Sequence, residues 1–413
     1  MLSQRSFLPY LMWLFPLLFF TYQFILRLWP GLMMQPIMAQ FSIDATGFGL
    51  LAAFYYYGYA GMQIPVAMLL DKFGARKMVF LFAVSCGLAM LLFTYTNNFY
   101  LALFSRFLIG ACSAVGFLAV SKVVSEWFKL TQYAGMIGFS FSVALMGAIY
   151  GGKPVSILIA TYSWRPVALG LSVVAILIGC LTFLTLRSPL ENTQQPEQKT
   201  KVDFSILLSS KILWLLAIAN MLMVGSLEGF ADVWGIPYLM TAYDLNKGDA
   251  ALLVSSIFFG MIFGGPLLAL LAKKIGNYHA ISLSGFAIAL IFGLLLSHYI
   301  HQWWLLSLLL FLTGIFCCYQ VLVFAVGSSL VAPQYLGITV AFLNCINMLG
   351  GSFFHSTIGK LMDLFWTGSQ NAGLRSYDFN TYQYALSVIP IFAVIGAIIV
   401  HCIGRKVSLA APH

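Results

Sequence analysis

Apolar runs of about twenty residues recur along this chain, and their recurrence decides what it can fold into. One of them, LALFSRFLIGACSAVGFLAV, carries a single charge, Arg106. A helix rising 1.5 Å per residue needs about 20 such residues to cross the hydrocarbon core of a bilayer. Hydrophobic residues make up 61% of the 413 positions and charged residues 8%. An ordinary soluble domain carries about 25% charged residues, so this much apolar surface belongs in a membrane. Helices lying on the membrane surface would alternate apolar and charged faces. A β-barrel would alternate with period two in segments of about ten residues. Neither pattern is present. The expected fold class is an all-α membrane protein.

The runs place twelve transmembrane helices at about 9–35, 47–70, 77–96, 100–122, 133–155, 166–187, 212–240, 250–271, 279–298, 303–327, 337–359 and 383–404. The first run is too long for a signal peptide and lacks a small-residue cleavage site, so it is read as the first span. The polar stretch RSPLENTQQPEQKTKVD, Arg187–Asp203, divides six spans from six. The expected organisation is an N-terminal six-helix bundle over 1–187, a cytoplasmic linker over 188–211 and a C-terminal six-helix bundle over 212–413.

Orientation follows from Lys and Arg. With the N-terminus inside, the cytoplasmic segments hold Arg5, Lys72, Arg76, Lys77, Lys122, Lys129, Arg187, Lys199, Lys201, Lys211, Lys273, Lys274, Arg405 and Lys406. Arg27 and Arg106 lie inside spans, and only Lys153, Arg165, Lys247, Lys360 and Arg375 fall outside. This asymmetry puts both termini in the cytoplasm. It also accounts for the net charge of +9 without a nucleic-acid partner. The seven cysteines lie in apolar runs or at their ends, with no disulfide framework and no zinc spacing.

Span seven, NMLMVGSLEGFADVWGIPYLM, contains two acids, Glu228 and Asp232. A charge at the bilayer centre costs about 2.5–3.5 kcal/mol on insertion scales. A spacing of four puts both carboxylates on one helix face. Such groups line a polar path or site, or pair as structural charges; the first reading makes them candidate proton carriers.

The turn between spans two and three reads AMLLDKFGARK, with Asp71, Lys72, Gly74, Arg76 and Lys77. A tight helix–helix turn needs a glycine, and the acid can pair with cations or cap a helix end. This resembles the loop signature of the major facilitator superfamily, departing from it at Ala67 and Ala75. The second half repeats the position around Lys273, Lys274 and Gly276, with Lys273 in place of the acid. Arg106 resembles that superfamily's arginine-bearing fourth helix; otherwise it would snorkel to the surface. Gly138, Gly147, Gly151, Gly152 and Pro154 in span five partly resemble its antiporter motif. The Gly-Pro pair expected after Gly147 is missing, which argues against a drug/proton exporter and leaves close helix packing as their use. The segments YYYGYAGMQIPVAMLLDKFGARK, SRFLIGACSAVGF, SEWF, MGAIYGGKP, SWRP, ADVWGIPYL and NCINMLGGSFFHSTIGKLMD resemble the phagosomal-transporter branch of intracellular gammaproteobacteria. That branch implies an inner-membrane importer of amino acids or nucleosides. The superfamily implies two pseudo-symmetric six-helix bundles.

The halves align at Trp29 and Trp234, which sets Arg27 opposite Asp232 in the internal repeat. In two-repeat transporters equivalent helices flank the central cavity, and an arginine fork binds a carboxylate bidentately. Gln23 lies one turn before Arg27. Tyr56, Tyr59 and Gln63 share a face of span two, Asn344 and Asn347 a face of span eleven, and Gln320 lies within span ten. These polar groups contact substrate or form interhelical hydrogen bonds. The combined expectation is a monomeric, non-enzymatic secondary transporter in the bacterial inner membrane, with no cofactor and no metal. It takes up a small polar metabolite such as an amino acid with protons, by alternating access. Export or facilitated movement of a metabolite, siderophore or drug is the alternative, and a non-transporting sensor a more distant one.

Overall fold

The computed structural model describes residues 2–187, 209–371 and 373–410. Most of the expected linker, 188–208, lies outside the described residues. Among those described, eleven helices are long and apolar enough to cross a membrane. The longest, Ala45–Tyr95, runs 51 residues and is broken at Gly74, whose φ of 77° and ψ of 159° lie outside helical geometry. It therefore supplies spans two and three, and the fold is the all-α, twelve-helix arrangement expected. The other spans are built from Leu2–Leu32, Phe99–Trp127, Thr131–Tyr162, Trp164–Thr185, Lys211–Tyr243, Lys247–Ile275, Asn277–Leu296, Trp303–Ser329, Leu336–Leu364 and Phe379–Val407. Large apolar side chains such as Leu81, Leu88, Leu184 and Leu290 remain exposed on them. Lipid solvates such groups as readily as a core does.

Contacts divide the chain into two compact units, Met1–Trp29 with Phe54–Thr200, and Pro30–Ala53 with Lys201–His413. The second unit thus includes the short helix Met34–Phe41 and the first turns of span two. Gly31 explains part of that grouping: a Cβ there would come within 2.6 Å of the Val233 carbonyl oxygen.

The internal repeat is visible within each unit. In the first, spans two and four touch through Gly58 and Gly110; a Cβ on either would lie 2.0 Å from the Phe107 oxygen or 1.8 Å from the Tyr55 oxygen. In the second, Gly260 and Gly314 join spans eight and ten in the same way, 2.0 Å and 1.9 Å from the Phe311 and Ile257 oxygens. The turn glycines correspond too: Gly276, with φ 86° and ψ 152°, matches Gly74 in backbone geometry. Gly74 follows Gly58 at the same spacing as Gly276 follows Gly260.

One element departs from the expected regular helix. Span seven is α-helical over Lys211–Met223 and Gly235–Tyr243, but Gly225–Trp234 between them is π-helical. Its hydrogen bonds reach five residues instead of four, a geometry that is rare and concentrated at functional positions. Gly225 and Gly229 let the wide turn lie against Phe354 of span eleven: added Cβ atoms would come within 2.5 Å and 3.2 Å of that side chain.

Candidate functional site

In the first unit, two arginines meet the tyrosines of span two. The Arg27 guanidinium donates from Nη2 to the Tyr56 hydroxyl at 3.3 Å and lies 5.4 Å and 5.6 Å from the ring centres of Phe24 and Tyr56. Arg106 is 1% exposed, so it does not snorkel. It donates from Nη1 to the carbonyl of Leu26, the residue before Arg27, at 3.2 Å. Its guanidinium also lies 5.1 Å from the Tyr55 ring centre and 5.9 Å from that of Trp29. Gln23 is buried, and its Oε1 has no hydrogen-bond partner among the described residues. Span four approaches it at Gly116, where a Cβ would lie 2.9 Å from that oxygen. Tyr59 is half-buried and stacks on Tyr55 with ring centres 6.2 Å apart, and Gln63 is buried on the same helix. Arg27 and Tyr56 are thus in direct contact, and Gln23 lies one turn below Arg27. Gln63 is farther along span two.

The turn between spans two and three is organised as a set of charged caps. Asp71 accepts from Lys122 of span four at 2.9 Å, and Lys122 also lies 3.8 Å from Glu126. Arg76 donates from Nε to the Phe183 carbonyl at 2.6 Å, closing the last turn of span six, with its guanidinium 4.6 Å from the Phe183 ring centre. Lys72 lies over the ring of its neighbour Phe73, and Lys77 is exposed. The glycines of span five divide. Gly147 and Gly151 are at close contacts with Thr21 and Ile25 of span one, whereas Gly138 has open space around it.

In the second unit the two acids lie in the π-helical turn and both are 1% exposed. In a turn whose hydrogen bonds reach five residues, positions four apart still lie within about one turn of each other. Glu228 is within electrostatic range of the Cys317 thiol and the Tyr319 hydroxyl. Ser226 lies 3.3 Å from the Cys317 sulfur, and Tyr319 donates to the Asn220 carbonyl at 3.2 Å. The polar wall therefore joins span seven to span ten. Asn347 of span eleven is fully buried, with neither amide atom hydrogen-bonded among the described residues. The Nε2 of half-buried Gln320 is likewise unbonded. Asn344 is half-buried. Sequence reasoning missed Asn220, whose buried amide, like that of Asn347, has no hydrogen-bond partner among the described residues, and Tyr319. The signal for Asn220 was available: an amide inside an apolar run, two turns before Glu228. Among the described residues no His, Cys, Asp and Glu group is arranged to hold a metal.

Residues 14–355 and 233–408 match the Major Facilitator Superfamily. The chain belongs to that family. The chain is similar to the uncharacterized transporter YybO of Bacillus subtilis (strain 168), 29% identical over 41% of this chain and 37% of that protein. It thus spans little more than a third of that relative's length. The similarity to the probable galactarate/D-glucarate transporter GudP of Escherichia coli (strain K12) is more extended, 22% identical over 81% of this chain and 82% of that one. Among solved structures, a bacterial homolog of the human lysosomal transporter Spinster, in an inward-facing and unoccupied conformation, superposes with a TM-score of 0.75. It covers 97% of both chains at 18% identity, which shows the shared fold.

Proposed function

We propose that this chain is a secondary transporter that imports a small carboxylate-bearing metabolite, such as an amino acid, with protons and by alternating access. The observation that carries the reading is the Arg27–Tyr56 contact inside two membrane helices. A guanidinium presents its donors as a planar fork, the geometry that recognises a carboxylate. Gln23 adds a buried amide one turn away. The similarity to a probable galactarate/D-glucarate transporter agrees with an acidic substrate. Tyr59, Gln63, Gln320, Asn344 and Asn347 supply further polar groups for it.

Glu228 and Asp232 carry the proton in this reading. Both are buried acids in a wide helical turn within a span, where an ionisable group marks a path or site for charge. Asp71, with Lys72, Gly74, Arg76, Lys77 and Arg106, sets the balance of conformations instead of touching substrate. The protein works as a monomer in a bacterial inner membrane, with both termini in the cytoplasm and two six-helix bundles joined by the 188–211 linker. The quoted segments support placement in the phagosomal-transporter branch. Uptake of radiolabelled amino acids and sugar acids into proteoliposomes, with and without an imposed pH gradient, tests this. Import requires accumulation driven by an inward proton gradient; equilibration unaffected by the gradient indicates a facilitator, and no flux a sensor.

A further inference from the structure

The helix beginning at Ala45 has a start that its own sequence does not complete. The first backbone N–H groups of any helix lack intrahelical acceptors. Here Asp44 supplies one local cap, accepting from Gly47 N at 3.0 Å. The other two come from far along the chain. Thr46 N donates to Asp363 Oδ2 at 2.7 Å, and Ala45 N donates to the Tyr377 hydroxyl at 2.9 Å. Asp363 also accepts from Thr46 Oγ1 at 2.5 Å, Tyr377 at 2.6 Å and Arg375 at 2.9 Å. Arg375 reaches Asp44 at 3.7 Å, and its guanidinium lies 4.5 Å from the Trp366 ring centre. Two short strands, Gln370–Asn371 and Leu374–Arg375, brace the segment that presents Arg375 and Tyr377. A carboxylate at a helix N-terminus gains from charge-assisted bonds and from the helix dipole.

The surface beneath this cap is flat. A Cβ at Gly49 would lie 2.3 Å from the His355 oxygen, and one at Gly359 would lie 2.4 Å from the Ala45 oxygen. Ser352 donates to the Ala53 carbonyl at 3.1 Å just below. Glycine-to-backbone contact leaves few interdigitated side chains to repack on separation. The charged groups are partly water-accessible, Asp363 at 12% and Arg375 at 36%, so parting them strands no fully desolvated ion. The helix also changes company along its length: Pro30–Ala53 groups with the second compact unit and the residues from Phe54 with the first.

We propose that Asp363 and Tyr377 form a releasable cap that holds the first turns of this helix against span eleven, and that the protein opens there by surrendering the cap to water. The proposal rests on the alternating-access reading for its purpose, but its test needs no substrate. Leu51, fully buried within the capped segment, is replaced by cysteine as a reporter and labelled with a maleimide in detergent solution. The parent chain is labelled in parallel to subtract its seven native cysteines. Adding Asp363→Ala, which removes both accepting oxygens, is expected to raise the reporter's labelling rate about tenfold, the ratio for a lost cap of about 1.4 kcal/mol. Tyr377→Phe, which removes one hydroxyl, is expected to raise it by a smaller factor. A second reporter, Leu216→Cys in the buried face of span seven, is expected to stay at its parent rate. Unchanged Leu51→Cys labelling in both cap variants overturns the proposal. So does an equal rise at both reporters, which would mean general loosening. Absence of uptake by the parent in proteoliposomes would instead count against the transport reading alone.

Discussion

The Lys122 ammonium lies 2.9 Å from the Asp71 carboxylate, binding the turn after span two to the end of span four. The pair is wet: the Asp71 side chain is 78% exposed. Exposed pairs of this kind contribute below about 1 kcal/mol. Asp71→Asn is therefore expected to shift the melting temperature by no more than a few degrees. If the turn biases the balance of conformations, turnover in proteoliposomes falls more than substrate affinity does. An equal loss of affinity at unchanged turnover would assign Asp71 to the binding site instead.

Arg27 is expected to be intolerant of lysine. Lysine keeps the charge but loses the planar fork and the bond to Tyr56. Arg27→Lys should weaken binding of a carboxylate substrate by about tenfold or more, about 1.4 kcal/mol, while Tyr56→Phe, which removes a 3.3 Å bond, costs less. Isothermal titration on purified variants measures both, and tight binding by Arg27→Lys would remove Arg27 from the site.

The two acids of span seven are separable by exchange assays. Neutralising the proton carrier, as Glu228→Gln or Asp232→Asn, should abolish gradient-driven accumulation while preserving substrate counterflow, which needs no net proton movement. Normal accumulation by both single variants and by the double variant would exclude a proton role.

Glycine substitutions should sort by contact. Gly110→Ala drives a methyl to 1.8 Å from the Tyr55 carbonyl oxygen, and Gly314→Ala to 1.9 Å from that of Ile257. Each should destabilise by at least about 3 kcal/mol, the upper range of overpacking costs. Gly138→Ala, with nothing within 4 Å, should be neutral or slightly stabilising in the same fluorescence-monitored thermal unfolding.

The spans were legible because bilayer thickness imposes length and composition on every one of them. Gly74 was legible for a local reason, since a tight turn with φ of 77° favours glycine. The buried acids stood out because charge is rare in an apolar run. The π-helical turn was not legible. Its sequence, GSLEGFADVW, is compatible with an α-helix, and the wider hydrogen bonding depends on the fit of Gly225 and Gly229 against Phe354, more than a hundred residues away. Asp363 was hidden for a related reason. At a helix end it reads as an ordinary surface acid, and only folding brings it to Thr46. The burial of Arg106 likewise depends on Tyr55 and the Leu26 carbonyl, which no local pattern reveals.

The wide turn of span seven also works as a phase setting. Each residue of an α-helix advances the chain by about 100°. A stretch that closes its hydrogen bonds over five residues holds one more residue per bonded turn than its neighbours on either side. Everything from Gly235 onward therefore faces a direction determined by that surplus. Tyr238 uses the direction to reach the Leu295 carbonyl at 2.9 Å and to meet the rings of Phe230 and Tyr382. A change in the number of residues between Gly225 and Trp234 would alter that direction unless the hydrogen bonding of the turn changed with it. In this helix the count of residues, as much as their identity, determines which neighbours its far half can keep.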